Sequence, residues 1–310
     1  MRFKTYLSIF LFSTLFLFYP GNTYFTDLFS YNRELFAQKL PKESYVLEHD
    51  VPYVLNKNIV PELSAAGAYV VFLPSYTPVY EKNIYTPFLP ASTAKIISAM
   101  VAVDAFDLDD VVEVQKVLDE GQSMGLVVGE KISVENLLFG LLVHSGNDAA
   151  YALAQNYPGG LAAFVSAMNK KAVELSMKNS IFQNPAGLDA VNQHTTAFDL
   201  ALAGRALLEH KILSKIVSIK SITVSDTDFK YFHSLKNVNK LLGEIAGIGG
   251  LKTGYTIDAG ENLVSFYKKD GHDFLVVILK SKDRFADTTS VVNWINSNVA
   301  YDSKDAFHQQ

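Results

Sequence analysis

The chain has 310 residues, 49% of them hydrophobic and 19% charged, a balance that excludes a mostly disordered protein and allows one large domain or two small ones. Its 27 basic and 32 acidic residues leave a net charge of −5, which argues against nucleic acid as a partner. With no cysteine, and with seven histidines that form neither His-Glu-x-x-His nor a close pair, neither a metal nor another cofactor is implied.

In chain order, Arg2 and Lys4 precede an apolar run from Tyr6 to Tyr19 that Pro20-Gly21 breaks. Such a run is short of the ~20 residues that cross a bilayer and has the layout of an export signal. Residues 1–25 are therefore expected to be a signal peptide or an N-terminal membrane anchor, with Gly21 and Thr23 as a small-x-small cleavage site. A buried hydrophobic helix is the alternative. The protein is expected outside the cytoplasm, secreted or held to the membrane by this segment. Residues 26–60 mix aromatics, charges and prolines without a period and read as a linker or stalk, with one short helix around 32–38.

Regular signals begin near residue 61. A strand is expected over 68–73, a turn at Pro74 and Pro78, and a second strand near Val79. Residues 92–106 read as a helix that is apolar nearly all round, hence buried. Helices follow over 134–142, 147–155 and 161–177, and Thr196 opens another with Asp199 as a capping-box-like partner. Runs 261–268 and 273–281 flank Asp270-Gly271, a hairpin signal, and a last helix covers 287–298. The expectation is a mixed α/β domain over 61–299, its sheet closed by the C-terminal hairpin, followed by a frayed polar tail at 300–310.

Three short motifs carry chemistry. Ser92-Thr93-Ala94-Lys95 opens the buried helix, where an offset of three puts hydroxyl and amine on one face. A helix N-terminus also offers unpaired N–H groups to a developing oxyanion. A lysine with the ordinary pKa of about 10.4 is a poor base, so Lys95 must be held neutral by burial or a neighbouring cation. A second Ser-x-x-Lys, Ser265 to Lys268, falls in an expected strand, where that offset sends the side chains to opposite faces. Ser145-Gly146-Asn147 lies between two helices. Its hydroxyl could pass a proton to a leaving amine and its amide hold a substrate carbonyl, or either residue could merely cap the following helix. His144 and Asp148 read as a satisfied neighbour and as helix-start electrostatics. Lys252-Thr253-Gly254 gives a strand edge a cation, a hydroxyl and room for a substrate backbone, the alternative being a solvent-facing lysine beside a turn.

In this order the three motifs resemble those of the penicillin-recognising serine enzymes. The surrounding text is similar to the D-alanyl-D-alanine carboxypeptidases, the low-molecular-mass penicillin-binding proteins. The resemblance rests on Pro90-Ala91-Ser92-Thr93-Ala94-Lys95, Ser145-Gly146-Asn147-Asp148-Ala149-Ala150 and Phe182-Gln183-Asn184-Pro185-Ala186-Gly187-Leu188-Asp189. It continues through His194 to Leu200, Asn237 to Leu242, and Leu251-Lys252-Thr253-Gly254-Tyr255-Thr256, covering about 61–298. The resemblance implies a DD-peptidase/β-lactamase-like α/β fold: an antiparallel sheet flanked by helices, an all-helical subdomain, and the active site between them. It implies a serine-type D-Ala-D-Ala carboxypeptidase that cleaves peptidoglycan stem peptides through an acyl-serine and is blocked covalently by β-lactams.

Carried over by position, the resemblance makes Ser92 the nucleophile, Lys95 its base and Ser145 the proton relay to the leaving D-alanine. Asn147 holds the peptide, Lys252 and Thr253 face its terminal carboxylate, and the N–H groups of Ser92 and Tyr255 form the oxyanion hole. Arg284 helps bind the carboxylate, or else forms a surface ion pair with Asp283 or Asp287. Two departures stand out: Pro74 to Pro78 replaces the family's usual Asp-x-x-Thr-Gly-like turn, and no C-terminal β-rich domain or anchor helix is expected to follow. A DD-endopeptidase would use the same residues. A class A β-lactamase would need a deacylating Glu-x-x-x-Asn, a setting that Glu174, Glu209 and Glu244 all lack. A non-catalytic wall-binding module would predict a damaged serine or lysine, and both are intact.

Overall fold

A computed structural model describes residues 50–73, 75–118 and 120–302, together with Phe10. Apart from Phe10, the expected export segment lies outside the described residues, as do the short helix near 32–38, Pro74 of the first turn and the tail beyond 302. Among the described residues no helix is long and apolar enough to cross a membrane.

Strands β1 (Val51–Val54), β2 (Gly67–Phe72) and β3 (Thr77–Lys82) lead into a 3₁₀ turn at Ala91–Ala94 and helix α1 (Lys95–Ala105). A short ladder of β4 (Val111–Glu113) and β5 (Lys131–Ser133) precedes helices α2 (Val134–Leu142), α3 (Asn147–Asn156) and α4 (Gly160–Glu174). Helices α5 (Ala197–Glu209) and α6 (Lys211–Val217) are followed by a hairpin of β6 (Ser221–Ser225) and β7 (Phe232–Lys236). The chain then forms β8 (Ile248–Thr256), β9 (Gly260–Lys269), β10 (His272–Ser281), α7 (Arg284–Asn298) and β11 (Val299–Asp302).

The main sheet is antiparallel throughout, in the order β3-β2-β10-β9-β8. Strand parity sorts its side chains onto two faces. Tyr69, Val71, Leu275, Val277 and Leu279 join the core shared with α1 to α5. Val70, Phe72, Phe274, Val276 and Ile278 pack on Val291, Trp294 and Ile295 of α7. Because both faces are covered, β2 and β10 read as unbroken apolar runs rather than as alternating ones. Gly204 of α5 lets that helix lie against the sheet, since a Cβ there would stand 3.0 Å from Leu275. The β9–β10 turn has Asp270 at φ 49° and Gly271 at φ 84°, the left-handed pair that a tight hairpin turn requires.

The structure changes four expectations. The domain begins before residue 61: Val51–Val54 pairs with Val299–Asp302, and Trp294 Nε1 donates to the Ile59 carbonyl at 2.7 Å. Residues 51–60, read as linker, and 300–302, read as tail, therefore belong to the folded unit. Ser92 lies in the 3₁₀ turn, and α1 starts only at Lys95. Asp199 does not return to cap Thr196; its carboxylate accepts from Asn179 N and Ser180 Oγ, whereas Thr196 Oγ1 accepts from Asp199 N. Helix α7 begins at Arg284 rather than 287, because the Asp283 carboxylate accepts from Phe285 N and Ala286 N as its N-cap.

Candidate active site

In a 3₁₀ turn residues i and i+3 eclipse one another, so the geometry brings Ser92 and Lys95 together as directly as a helix start would. Lys95 Nζ lies 2.7 Å from Ser92 Oγ, 2.7 Å from Asn147 Oδ1 and 2.8 Å from the Ala186 carbonyl oxygen. The lysine is fully buried. Burial lowers its pKa to about 7, against an upward pull from the Asp148 carboxylate. Two of its three partners are pure acceptors. A neutral amine has two N–H bonds for those and one lone pair left for the Ser92 hydroxyl proton. That arrangement can activate a serine without a histidine.

The turn bearing Ser92 is clamped from two sides. Gly254 lets β8 run alongside it: a Cβ there would lie 3.0 Å from both Ser92 N and Ala91 Cβ. Buried Asn262, on β9 opposite Gly254, donates Nδ2 to the carbonyls of Leu89 (2.9 Å) and Pro90 (3.1 Å) and accepts from Lys280 N at 2.8 Å. Replacing Asn262 by Ala takes this partner from the Leu89 carbonyl and Lys280 N, whereas the Pro90 carbonyl keeps Thr93 N and Thr93 Oγ1. The unfolding free energy, measured by urea denaturation, is expected to fall by about 3 kcal/mol.

Ser145 has a left-handed backbone at φ 65°, and Gly146 rather than Ser145 or Asn147 occupies the N-cap position of α3. Neither motif side chain is spent on capping. Ser145 Oγ lies 2.8 Å from Lys252 Nζ, which also donates to the Thr253 carbonyl at 3.0 Å. The Asn147 amide spans the site, taking Lys95 on its oxygen and donating Nδ2 to the Glu120 carbonyl at 2.7 Å. Lys252 is buried rather than solvent-facing. Burial, then the cations of Lys95 and Arg284, hold its pKa well below the ordinary lysine value. The Arg284 guanidinium does not pair with Asp283 or Asp287. Its Nη1 donates to the Gly254 carbonyl at 2.7 Å, and its Nε stands 4.0 Å from Glu261.

Ser92, Ser145, Asn147, Thr253, Tyr255 and Arg284 line one cleft of about 600 Å³, walled by residues 120–122 on one side and 186–188 on the other. Lys95 and Lys252 lie beneath its floor and reach it through the two serines. All eight residues singled out from the sequence thus meet at one place. The second Ser-x-x-Lys does not: in β9 Ser265 is buried and Lys268 is exposed beside Asp273. Among the described residues no cluster of His, Asp and Glu could hold a metal ion.

The motif reading passed over several contributors. The Ala186 carbonyl carries no side-chain signal. Asn184 holds that loop, its Oδ1 accepting from Gly187 N at 2.8 Å and Leu188 N at 2.9 Å. Asp148, read as helix-start electrostatics, does lie in the first turn of α3 and also collects backbone N–H groups from residues 124–126. His144 meets Gln122 of the cleft wall at 2.8 Å.

A five-stranded antiparallel sheet covered by helices, with a serine–lysine cleft at its β8 edge, is the DD-peptidase/β-lactamase-like fold. The solved Streptomyces K15 DD-transpeptidase superposes with a TM-score of 0.72 at 29% identity, covering 76% of this chain and 98% of that one. Residues 56–283 match the peptidase S11 family, the D-alanyl-D-alanine carboxypeptidases, and the chain belongs to that family. It is 33% identical over 227 residues to D-alanyl-D-alanine carboxypeptidase DacF of Bacillus subtilis, covering 70% of this chain. It is also 33% identical over 245 residues to a D-alanyl-D-alanine endopeptidase of Pseudomonas aeruginosa, covering 76% of this chain and 78% of that protein. The matched part spans only 58% of the DacF length and 57% of the Escherichia coli DacD length.

Proposed function

We propose that this protein is a serine-type D-Ala-D-Ala carboxypeptidase acting on peptidoglycan stem peptides, with residues 50–302 as its catalytic domain. The observation that carries the reading is the buried amine of Lys95, 2.7 Å from Ser92 Oγ with its other two contacts already on carbonyl acceptors.

Ser92 Oγ attacks the carbonyl carbon of the penultimate D-alanine as its proton passes to Lys95 Nζ. The N–H groups of Ser92 and Tyr255 hold the oxyanion, each such donor being worth about 10²–10³ in rate. The C–N bond then breaks as Ser145 relays the proton taken up by Lys95 to the nitrogen of the departing D-alanine, which leaves Lys95 neutral again. Water, giving its proton to Lys95, attacks the acyl-serine, and Lys95 returns that proton to Ser92 Oγ as the ester bond breaks. Asn147 holds the peptide backbone. Lys252, Thr253 and Arg284 make a positive end for the terminal carboxylate, Arg284 acting partly by holding β8 through the Gly254 carbonyl. β-Lactams acylate the same serine.

The substrate lies outside the cytoplasmic membrane, so the catalytic domain works there, with residues 1–25 as export signal or membrane anchor. The test is labelling of the full chain by a fluorescent penicillin together with D-alanine release from a D-Ala-D-Ala peptide. Both signals are expected, and both are lost in Ser92→Ala. A folded wild-type protein that neither labels nor releases D-alanine defeats the reading. Because one relative is named an endopeptidase, a cross-linked peptide dimer belongs in the same assay; preference for the dimer would replace the carboxypeptidase assignment with that one.

A further inference from the structure

Asp148 is a buried acid for which the reaction above has no use. Its two oxygens accept from Ser123 Oγ (2.6 Å), Met124 N (3.0 Å), Gly125 N (2.9 Å), Leu126 N (3.1 Å) and Ala149 N (2.9 Å). Every one of these donors is neutral. Five neutral donors on two oxygens satisfy the carboxylate by dipoles rather than by an ion pair.

The place of that anion matters. The loop it holds continues directly into residues 120–122, which wall the cleft. The residue before it, Asn147, joins that wall to Lys95. We infer that Asp148 is a positioning residue for the Ser92–Lys95 pair: its carboxylate fixes the cleft wall and supplies the counter-charge against which Lys95 binds and releases its proton. This rests on the reading of Lys95 as the base.

The other charges around Lys95 are arranged so that Asp148 has no substitute. Lys252 of β8 offers no anion: burial and the cations of Lys95 and of Arg284 on α7 hold its own pKa well below the ordinary lysine value. Glu120 bonds Asn147 through its backbone carbonyl, and its side chain is at the exposed rim. Glu130 and His233 pair with each other, 2.7 Å apart, at the far end of the same loop. Without a nearby anion, burial would lower the pKa of the amine further and weaken it as a base. Base strength and neutrality oppose one another, and general-base efficiency peaks when the pKa is close to the working pH. Asp148 pulls Lys95 back up toward that optimum.

The test is the second-order rate of acylation by fluorescent penicillin between pH 5.5 and 9.5, for the full chain and three variants. Asp148→Asn and Asp148→Ser remove the charge, and Asp148→Glu keeps it. In wild type the rate is expected to rise with a midpoint near the Lys95 value of about 7. In the neutral variants the midpoint moves down by about one pH unit and the plateau falls about tenfold, the mark of a weaker base. Asp148→Glu loses rate through the disturbed loop but keeps its midpoint. A neutral variant that loses rate with an unmoved midpoint overturns the inference and leaves Asp148 a structural residue. Should neither neutral variant fold, Asp148→Glu decides: a midpoint displaced by a full unit although the charge is kept overturns the inference. Absence of wild-type labelling would instead defeat the reading of Lys95 and Ser92 on which this rests.

Discussion

Replacing Lys95 by Met is expected to slow acylation of Ser92 by penicillin about 10²–10⁴-fold, the share that a positioned general base contributes. The hydroxyl remains in place but loses the lone pair that takes its proton. The same variant reports on stability. Lys95 titrates at about 7 in the folded chain and at the ordinary lysine value when unfolded. Below pH 7 both states are protonated, and the folded state carries the full cost of a buried ammonium. Between pH 7 and about 10 the unfolded chain holds a proton that the folded chain has released, so wild-type stability climbs with pH. Lys252 is shifted in the same direction, chiefly by its own burial, and adds a rise in both proteins, so subtracting the variant from wild type removes most of it. Urea unfolding at pH 7 and 9.5 is expected to show wild type gaining about 3 kcal/mol more than Lys95→Met across that interval. An equal gain in both proteins would mean that Lys95 does not titrate there.

What the sequence made legible was local. Helix α2 falls at 134–142 as expected because Ser133 caps it, accepting from Asn136 N, and the apolar run behind it is continuous. The β9–β10 hairpin was announced by Asp270-Gly271, residues able to adopt the left-handed geometry of the turn. Ser-x-x-Lys was informative for a similar reason, since an offset of three meets on one face in either kind of helical turn. Pairing over long sequence distance was not legible. The β1–β11 ladder joins Val51 to Asp302, and four residues are too few to show a period. Asp148 does sit in the first turn of α3, as read, but its further partners are backbone N–H donors of residues 124–126, which no side chain advertises. The role of the Ala186 carbonyl was hidden for the same reason. In both cases the sequence identifies the acceptor or the lysine, and only the folded chain supplies the partner.

Gly187 marks where that backbone chemistry is most exposed to test. Its φ is 80°, in the left-handed region that costs an L-residue about 1–2 kcal/mol. A Cβ there would also overlap the Ala91 carbonyl oxygen and lie 2.6 Å from the Ala91 carbonyl carbon. Ala91 immediately precedes Ser92 and is itself at φ 46°, so the turn has little freedom to yield. Relief must come from the 184–188 loop, which would draw the Ala186 carbonyl away from Lys95, or from the turn, which would move Ser92. Either shift breaks the three-partner arrangement around the amine. Gly187→Ala is therefore expected to lower the unfolding free energy by about 2–4 kcal/mol. Acylation should slow about 100-fold in protein that is still folded, the penalty of misplacing reacting groups by about 1 Å. Gly129→Ala is the control, because Gly129 has φ 83° but nothing within 4 Å of its would-be Cβ. It should lose about 1–2 kcal/mol from backbone strain alone and acylate at the wild-type rate. Wild-type acylation by Gly187→Ala would show that Lys95 activates Ser92 without the Ala186 carbonyl. The lone-pair argument would then have to rest on Asn147 alone.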